Sequence, residues 1–153
     1  MFPHLAGQGV DYIVKQLKDF RAGRRSDPSM DATISQIPDG EELNLARWFS
    51  KQAVQPASAT QADLVNRGRQ LWRAGDAGKG VPACAGCHGA SGYGLPAQYP
   101  RLAGQFPDYI AAQLQKFRSG ERTNDAENMM RVIAERLTDH DAKAVSEYAA
   151  GLR

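Results

Sequence analysis

Five consecutive residues, Cys84-Ala85-Gly86-Cys87-His88, constrain this chain more than any other feature of it. Two thiols three positions apart, followed at once by an imidazole, are the spacing at which a haem is fixed covalently. The thiols add across the porphyrin's two vinyl groups, and the histidine lies under the iron as proximal ligand. Cys84 and Cys87 are the only cysteines in the 153 residues, so one motif uses the whole thiol inventory. They are expected to hold one haem c through thioethers, with His88 on its iron.

Other chemistries of the same residues need more than the chain offers. A structural zinc ion takes four ligands, and a Cys2His2 set would require His4 or His140 to reach the motif. A thioredoxin-like dithiol wants a βαβ setting, yet the flanks read as loop and helix. A disulfide across so short a span leaves His88 without a purpose.

A haem of the electron-carrying kind needs a second axial ligand, and methionine is the choice that raises the potential. Met129 and Met130 stand downstream. Adjacent helical residues point about 100° apart, so only one of the pair can face an iron while the other fills core or meets solvent. Spacing alone does not choose between them.

An internal repeat does. Phe2-Pro3-His4-Leu5-Ala6-Gly7-Gln8 recurs as Tyr99-Pro100-Arg101-Leu102-Ala103-Gly104-Gln105, and the match runs on through Asp11-Tyr12-Ile13 with Asp108-Tyr109-Ile110 to Gly23 with Gly120. Fourteen of the twenty-five aligned positions are identical. Further on, Ile37-Pro38-Asp39 aligns with Leu137-Thr138-Asp139 and Trp48 with Tyr148, and in that frame Met30 falls opposite Met130. A methionine kept at one place in both halves points to Met130 as the second iron ligand.

Taken together, Pro82 through Gly89, the Phe/Tyr-Pro-x-Leu-Ala-Gly-Gln repeat, Asn128-Met129-Met130-Arg131 and the closing Tyr148-Ala149-Ala150-Gly151-Leu152 resemble the diheme cytochrome c4 family over nearly the whole chain. The resemblance implies an all-α fold of two tandem class I cytochrome c-like domains. It also implies that the methionine directly before the arginine, Met130, ligates iron, and that the carbonyl of Pro100 orients the proximal histidine. Read from the residues alone, Pro100 is equally a plain loop proline.

One departure stands out. The family's first Cys-x-x-Cys-His precedes the first Phe-Pro-x-Leu-Ala-Gly-Gln, which here begins at Phe2. Residues 1–51 are therefore expected to be an incomplete first domain, 52–61 a linker without periodicity, and 62–153 a complete domain carrying one haem. A second haem is expected in a longer form. Haem is attached outside the cytoplasm, and the chain opens with no charged and apolar export signal. Met1 is thus expected to be an internal methionine of a longer, periplasmic protein or an artificial start.

Composition excludes more than it selects. A net charge of +2 gives no argument for nucleic acid, and a mean hydropathy of −0.51 without a long apolar run excludes a spanning helix, leaving at most a peripheral membrane association. Lys15, Lys18, Arg24 and Arg25 read as a solvated helix face, with a basic docking patch as the alternative. Ile13, Leu17, Phe20 and Ile110, Leu114, Phe117 follow i, i+4, i+7 and predict two amphipathic helices ending near Gly23 and Gly120. Further helices are predicted at about 39–51 (Leu43, Ala46 and Phe49 or Trp48 inward), 62–73 and 139–152, the last capped by Thr138 or Asp139. The glycines from Gly75 to Gly94 are read as room for a porphyrin edge, and Tyr93, Tyr99, Tyr109 and Phe117 as haem walls or core.

An iron held by His88 and Met130 has no open position, so it changes oxidation state without transforming a substrate. By resemblance, such a carrier takes single electrons from a quinol-oxidising complex and passes them to a terminal oxidase. No catalytic base or nucleophile pair is evident, and the chain is read as a non-enzyme. The alternative is a gas-binding or peroxidatic haem protein with a weak distal ligand.

Overall fold

The computed structural model describes residues 2–153. Among them every regular element is helical, and extended backbone pairs only at two isolated bridges, Asp76 with Val81 and Leu95 with Tyr99.

The repeat produces two helices of the same design. α1 (Val10–Arg21) buries Ile13, Leu17 and Phe20. Ninety-seven residues on, a helix at Pro107–Ser119 buries Ile110, Leu114 and Phe117, their exact counterparts in spacing. Gly23 and Gly120 follow in the left-handed conformation that ends helices.

Around α1 gather α2 (Pro28–Ile34) and α3 (Glu42–Ser50), closing a first core of Ile13, Leu17, Phe20, Ile34 and Ala46, with Met30 packed at its edge. α2 starts at Asp27, whose carboxylate accepts the Ser29 N–H at 3.1 Å. The inward face of α3 follows the prediction at Ala46, with Phe49 rather than Trp48 packed on the core, and departs from it at Leu43. Leu43 and Trp48 are 43% and 58% exposed, and Glu42 is buried instead because its carboxylate accepts the Arg21 Nε–H at 2.9 Å. The helix thus turns Ala46, Leu45 and Phe49 to the core, and the ion pair to α1 holds Glu42 beside them.

The second core is larger: Leu71, Trp72, Val81, Ile110, Leu114, Leu137, Val145 and Ala149. It is built by α4 (Val65–Ala74), the single turn α5 (Ala85–His88), α6 (Pro107–Ser119), α7 (Met129–Arg136) and α8 (Asp139–Gly151). α4 crosses α8 at Gly68, where a Cβ would stand 2.0 Å from the Ala144 carbonyl oxygen, so only glycine permits the approach. α8 opens with a capping box between Thr138 and Asp141. The same buried Asp141 carboxylate accepts from Arg67 at 2.8 Å and Lys79 at 2.5 Å, pinning α8 to α4 and to the following loop.

Residues 52–61 form no helix. The segment is nevertheless tied down: Ala57 donates to the Gly104 carbonyl at 2.8 Å, and the Thr60 and Gln61 N–H groups donate to the buried Glu147 carboxylate at 2.6 and 3.2 Å. No described helix is long and apolar enough to cross a membrane.

The halves meet through bonds that obey the repeat. Gln8 exchanges two hydrogen bonds with the backbone of Arg101 at 3.0 and 2.8 Å, and Gln105 exchanges two with the backbone of His4 at 3.0 and 2.9 Å. Gln105 is the repeat partner of Gln8, and Arg101 that of His4. Arg25 donates to Tyr109 at 3.0 Å while Arg122 donates to Tyr12 at 3.1 Å, again partner for partner. Contacts of the form i to j and j to i define an isologous interface, here between two halves of one chain.

Candidate functional site

The Cys-x-x-Cys-His run folds as one helical turn, with the Cys87 and His88 N–H groups donating to the Cys84 carbonyl at 3.2 and 2.9 Å. A turn of this kind puts residues i, i+3 and i+4 on one side, so both sulfurs and the imidazole face the same cleft, and all three line it. Burial pushes the Cys84 thiol up to about 11, only partly offset by a backbone hydrogen bond. A protonated, half-buried thiol lacks the thiolate character of redox dithiols. Nor do the described residues bring three metal-binding side chains together; His4 lies instead against the Phe106 ring at 4.1 Å.

His88 is buried, and its Nδ1 sits 3.0 Å from the Pro100 carbonyl oxygen. A carbonyl can only accept, so Nδ1 carries the hydrogen and the Nε2 lone pair remains uncommitted. Burial lowers the imidazole's pKa against the opposing pull of the Pro100 bond, which keeps the ring neutral. A neutral, oriented imidazole is the form that binds metal. Trp72, 1% exposed, backs the ring at 6.3 Å between centroids, and its Nε1–H donates to the Ala90 carbonyl at 3.1 Å, fixing the loop after the motif.

Met129 and Met130 open α7 and line the same cleft. The Tyr99 hydroxyl approaches the Met129 sulfur at 3.8 Å, a weak sulfur hydrogen bond. Met130 packs against the second core. Leu102, Ile110, Leu114, Ile133 and Val145 complete the apolar walls. Of the four aromatic residues read as walls, Tyr99, Tyr109 and Phe117 line the cleft, whereas Tyr93 is exposed beneath the Arg101 guanidinium.

Glycines near the motif serve the loop's own packing at two telling positions. A Cβ at Gly75 would lie 2.2 Å from the Val81 carbonyl oxygen and one at Gly94 2.5 Å from that of Tyr99, and both residues have positive φ. They bring backbone against backbone; what they spare is room for the chain.

One wall comes from the first half. Tyr12, Lys15 and Gln16 line the cleft beside Arg122 and Asn124. Arg122 is 7% exposed and donates only to neutral groups, Gln113 at 2.8 Å, Asn124 at 3.0 Å, Tyr12 at 3.1 Å and Gln16 at 3.2 Å. Burial raises the Tyr12 phenol's pKa, but Arg122, Arg25 and Lys15 outweigh it and hold the group below its ordinary value. Three cations thus act on the phenol at this edge of the cleft. A buried cation with no carboxylate partner among the described residues is costly and suits a ligand that brings its own acid groups. Porphyrin, flat and apolar with two propionates, fits that description. The cleft opens to solvent at its mouth between these walls.

Cys84, Cys87, His88 and Met130, the residues expected from the sequence, line one cleft together with Tyr12, Gln16 and Arg122, which the sequence alone did not single out. The signal was present: Tyr12 with Tyr109, Gln16 with Gln113 and Arg25 with Arg122 are polar identities within the repeat. Lys15 and Arg24 are not a free basic face either, since both pair with the buried Asp19 at 2.5 and 2.8 Å.

Residues 65–152 match the family model described as cytochrome c. A cytochrome c4 from Azotobacter vinelandii is 41% identical over 99% of this chain and 77% of its own length. A thiosulfate dehydrogenase electron acceptor from Stutzerimonas stutzeri is 36% identical over 99% of this chain and 71% of its own. The crystal structure of reduced recombinant cytochrome c4 from Pseudomonas stutzeri superposes with a TM-score of 0.94 at 38% identity, covering 99% of this chain and 85% of that one.

Proposed function

The chain belongs to the cytochrome c4 family of electron carriers, and from that premise we propose that it moves single electrons through one haem c held by Cys84 and Cys87 and ligated by His88 and Met130. The observation that carries the reading is the meeting of the Cys84–His88 turn and the Met129-Met130 pair on one apolar cleft, with the imidazole tied to Pro100. Bound there, haem supplies a one-electron iron couple.

Everything else falls to the chain. Pro100 and Trp72 hold His88 so that its free nitrogen keeps one direction in both oxidation states. Met130 supplies a soft sulfur donor that favours the reduced iron. Apolar walls exclude water, and Arg122 with Tyr12 offers donors to a porphyrin carboxylate. Held by both His88 and Met130, a bound haem iron would have no vacancy for a gas or peroxide, which separates this reading from a gas-binding or peroxidatic protein.

Residues 62–153 are taken as the haem domain, 52–61 as the linker, and 1–51 as a cytochrome c-like unit without a Cys-x-x-Cys-His. Because thioether maturation takes place outside the cytoplasm, a periplasmic location is proposed. Its electrons are proposed to come from a quinol-oxidising complex and pass to a terminal oxidase. A second donor is favoured by one observation, the 36% identical relative named as an electron acceptor of thiosulfate dehydrogenase.

Haem content tests the core of this. Protein exported through a cytochrome c maturation system should give one haem per chain by pyridine haemochrome and one covalent adduct by intact mass. Met130→Ala should turn the ferric spectrum high-spin and lower the potential. A colourless wild type, or a Met130→Ala protein with an unchanged spectrum, contradicts the assignment.

A further inference from the structure

The chain reaches the two methionines through an unfavourable backbone. Glu127 and Asn128, directly before α7, have φ of 51° and 59°, the only non-glycine residues in the left-handed region among the described residues. Asparagine tolerates that region and glutamate does not, and two in succession persist only where their surroundings hold them.

Asp125 and Arg131, one on each side of the kink, hold them. The Arg131 backbone N–H donates to Asp125 Oδ2 at 3.0 Å and its Nε–H to Oδ1 at 2.8 Å. The guanidinium also donates to the Thr123 carbonyl at 3.3 Å and to Asn128 Oδ1. The Asp125 side chain is 4% exposed, and the residue lines the cleft along with Met129 and Met130. The first half shows the contrast. There Asp27 caps α2 directly with Pro28 at its first position, and Met30 follows with no left-handed residue between. Kink and clamp occur only in the half that carries Cys-x-x-Cys-His.

We propose that Asp125 and Arg131 are positioning residues for the sulfur ligand: they fix the first turn of α7 so that Met130 is held toward the cleft while Tyr99 occupies Met129. This rests on the reading of Met130 as an iron ligand. The kink spends local stability on placing one side chain, and the clamp makes that placement rigid. Without it the turn relaxes, and the sulfur yields its place to an external ligand.

The experiment titrates the ferric holoprotein with imidazole and follows its far-red sulfur-to-iron absorption band. Loss of a buried charge-assisted pair should let Asp125→Ala bind imidazole at least tenfold more tightly than wild type and weaken the band. Arg131→Lys, which keeps the charge and loses the two-point geometry, should fall between and serves if Asp125→Ala does not fold. Asp141→Asn removes a comparable buried carboxylate that does not line the cleft. It should lower the melting temperature and leave imidazole affinity alone, separating ligand positioning from general loosening. Wild-type affinity and band in both clamp variants, beside a band lost in Met130→Ala, overturn the clamp alone. A band that survives Met130→Ala overturns the ligand reading and the clamp with it.

Discussion

A single side chain can be legible in sequence for its chemistry and illegible for its surroundings. The chemistry proposed for Cys84, Cys87 and His88 lies in spacing along five residues, which a sequence displays directly. The surroundings of Arg122 are not displayed in this way, because its partners Tyr12 and Gln16 lie more than a hundred positions away. Asp141 is a case of the second kind whose consequence can be measured. Burial pushes its carboxyl pKa up, but the Lys79 and Arg67 bonds and the Thr138 hydroxyl bring it far below the ordinary carboxylate value. A folded-state pKa depressed below the unfolded one contributes stability that is full above the unfolded value, near 4, and is lost as pH falls through the folded one. Asp141→Asn should thus cost about 3 kcal/mol at neutral pH, since it leaves two cations facing a neutral group. Denaturant melts should show the gap between variant and wild type narrowing below pH 4, and a gap independent of pH would refute the electrostatic account.

At the scale of elements, periodicity found the helices whose faces are decided by apolar burial and failed where something else decides. α1 and α6 bury the predicted stripes, and Thr138 caps α8 as expected. α3 was read correctly at Ala46 and, of the two aromatic choices, at Phe49, but not at Leu43, which is exposed while Glu42 is buried in its pair with Arg21. The α4–α8 crossing offers a clean opposition of principles. Helix propensity says that Gly68→Ala should stabilise by up to about 1 kcal/mol. Packing says otherwise, because the new Cβ would meet the Ala144 carbonyl oxygen at 2.0 Å and Tyr148 Cβ at 2.7 Å, and a backbone atom cannot step aside. Overpacking typically costs about 1–3 kcal/mol, so packing wins. Thermal melts of Gly68→Ala should show a fall of several degrees, and a rise would mean that the helices separate freely.

For the molecule as a whole, the repeat was visible in the sequence, but nothing in it said that the two copies face one another. That knowledge needs the three-dimensional reciprocity of Arg25 with Tyr109 and Arg122 with Tyr12. The pseudo-symmetry then supplies its own control. Both arginines stack on the equivalent phenylalanine, Arg25 on Phe20 at 4.7 Å and Arg122 on Phe117 at 4.5 Å, and both reach Gln16 and Gln113. As parts of the seam they are near equals, and Arg25→Ala and Arg122→Ala should destabilise the protein to a similar degree. They differ in one respect: only Arg122 lines the cleft. A positive charge near a haem iron bound in the cleft would disfavour its oxidised form, and at an effective dielectric near 20 a charge some 10 Å from it would shift a one-electron couple by tens of millivolts. Spectroelectrochemistry should therefore record a potential lowered by that order in Arg122→Ala and nearly unmoved in Arg25→Ala. Equal shifts in the two variants would mean that the seam acts on the site through its rigidity, whereas a shift confined to Arg122 identifies the first half as a scaffold that holds a charge in place at the edge of the second.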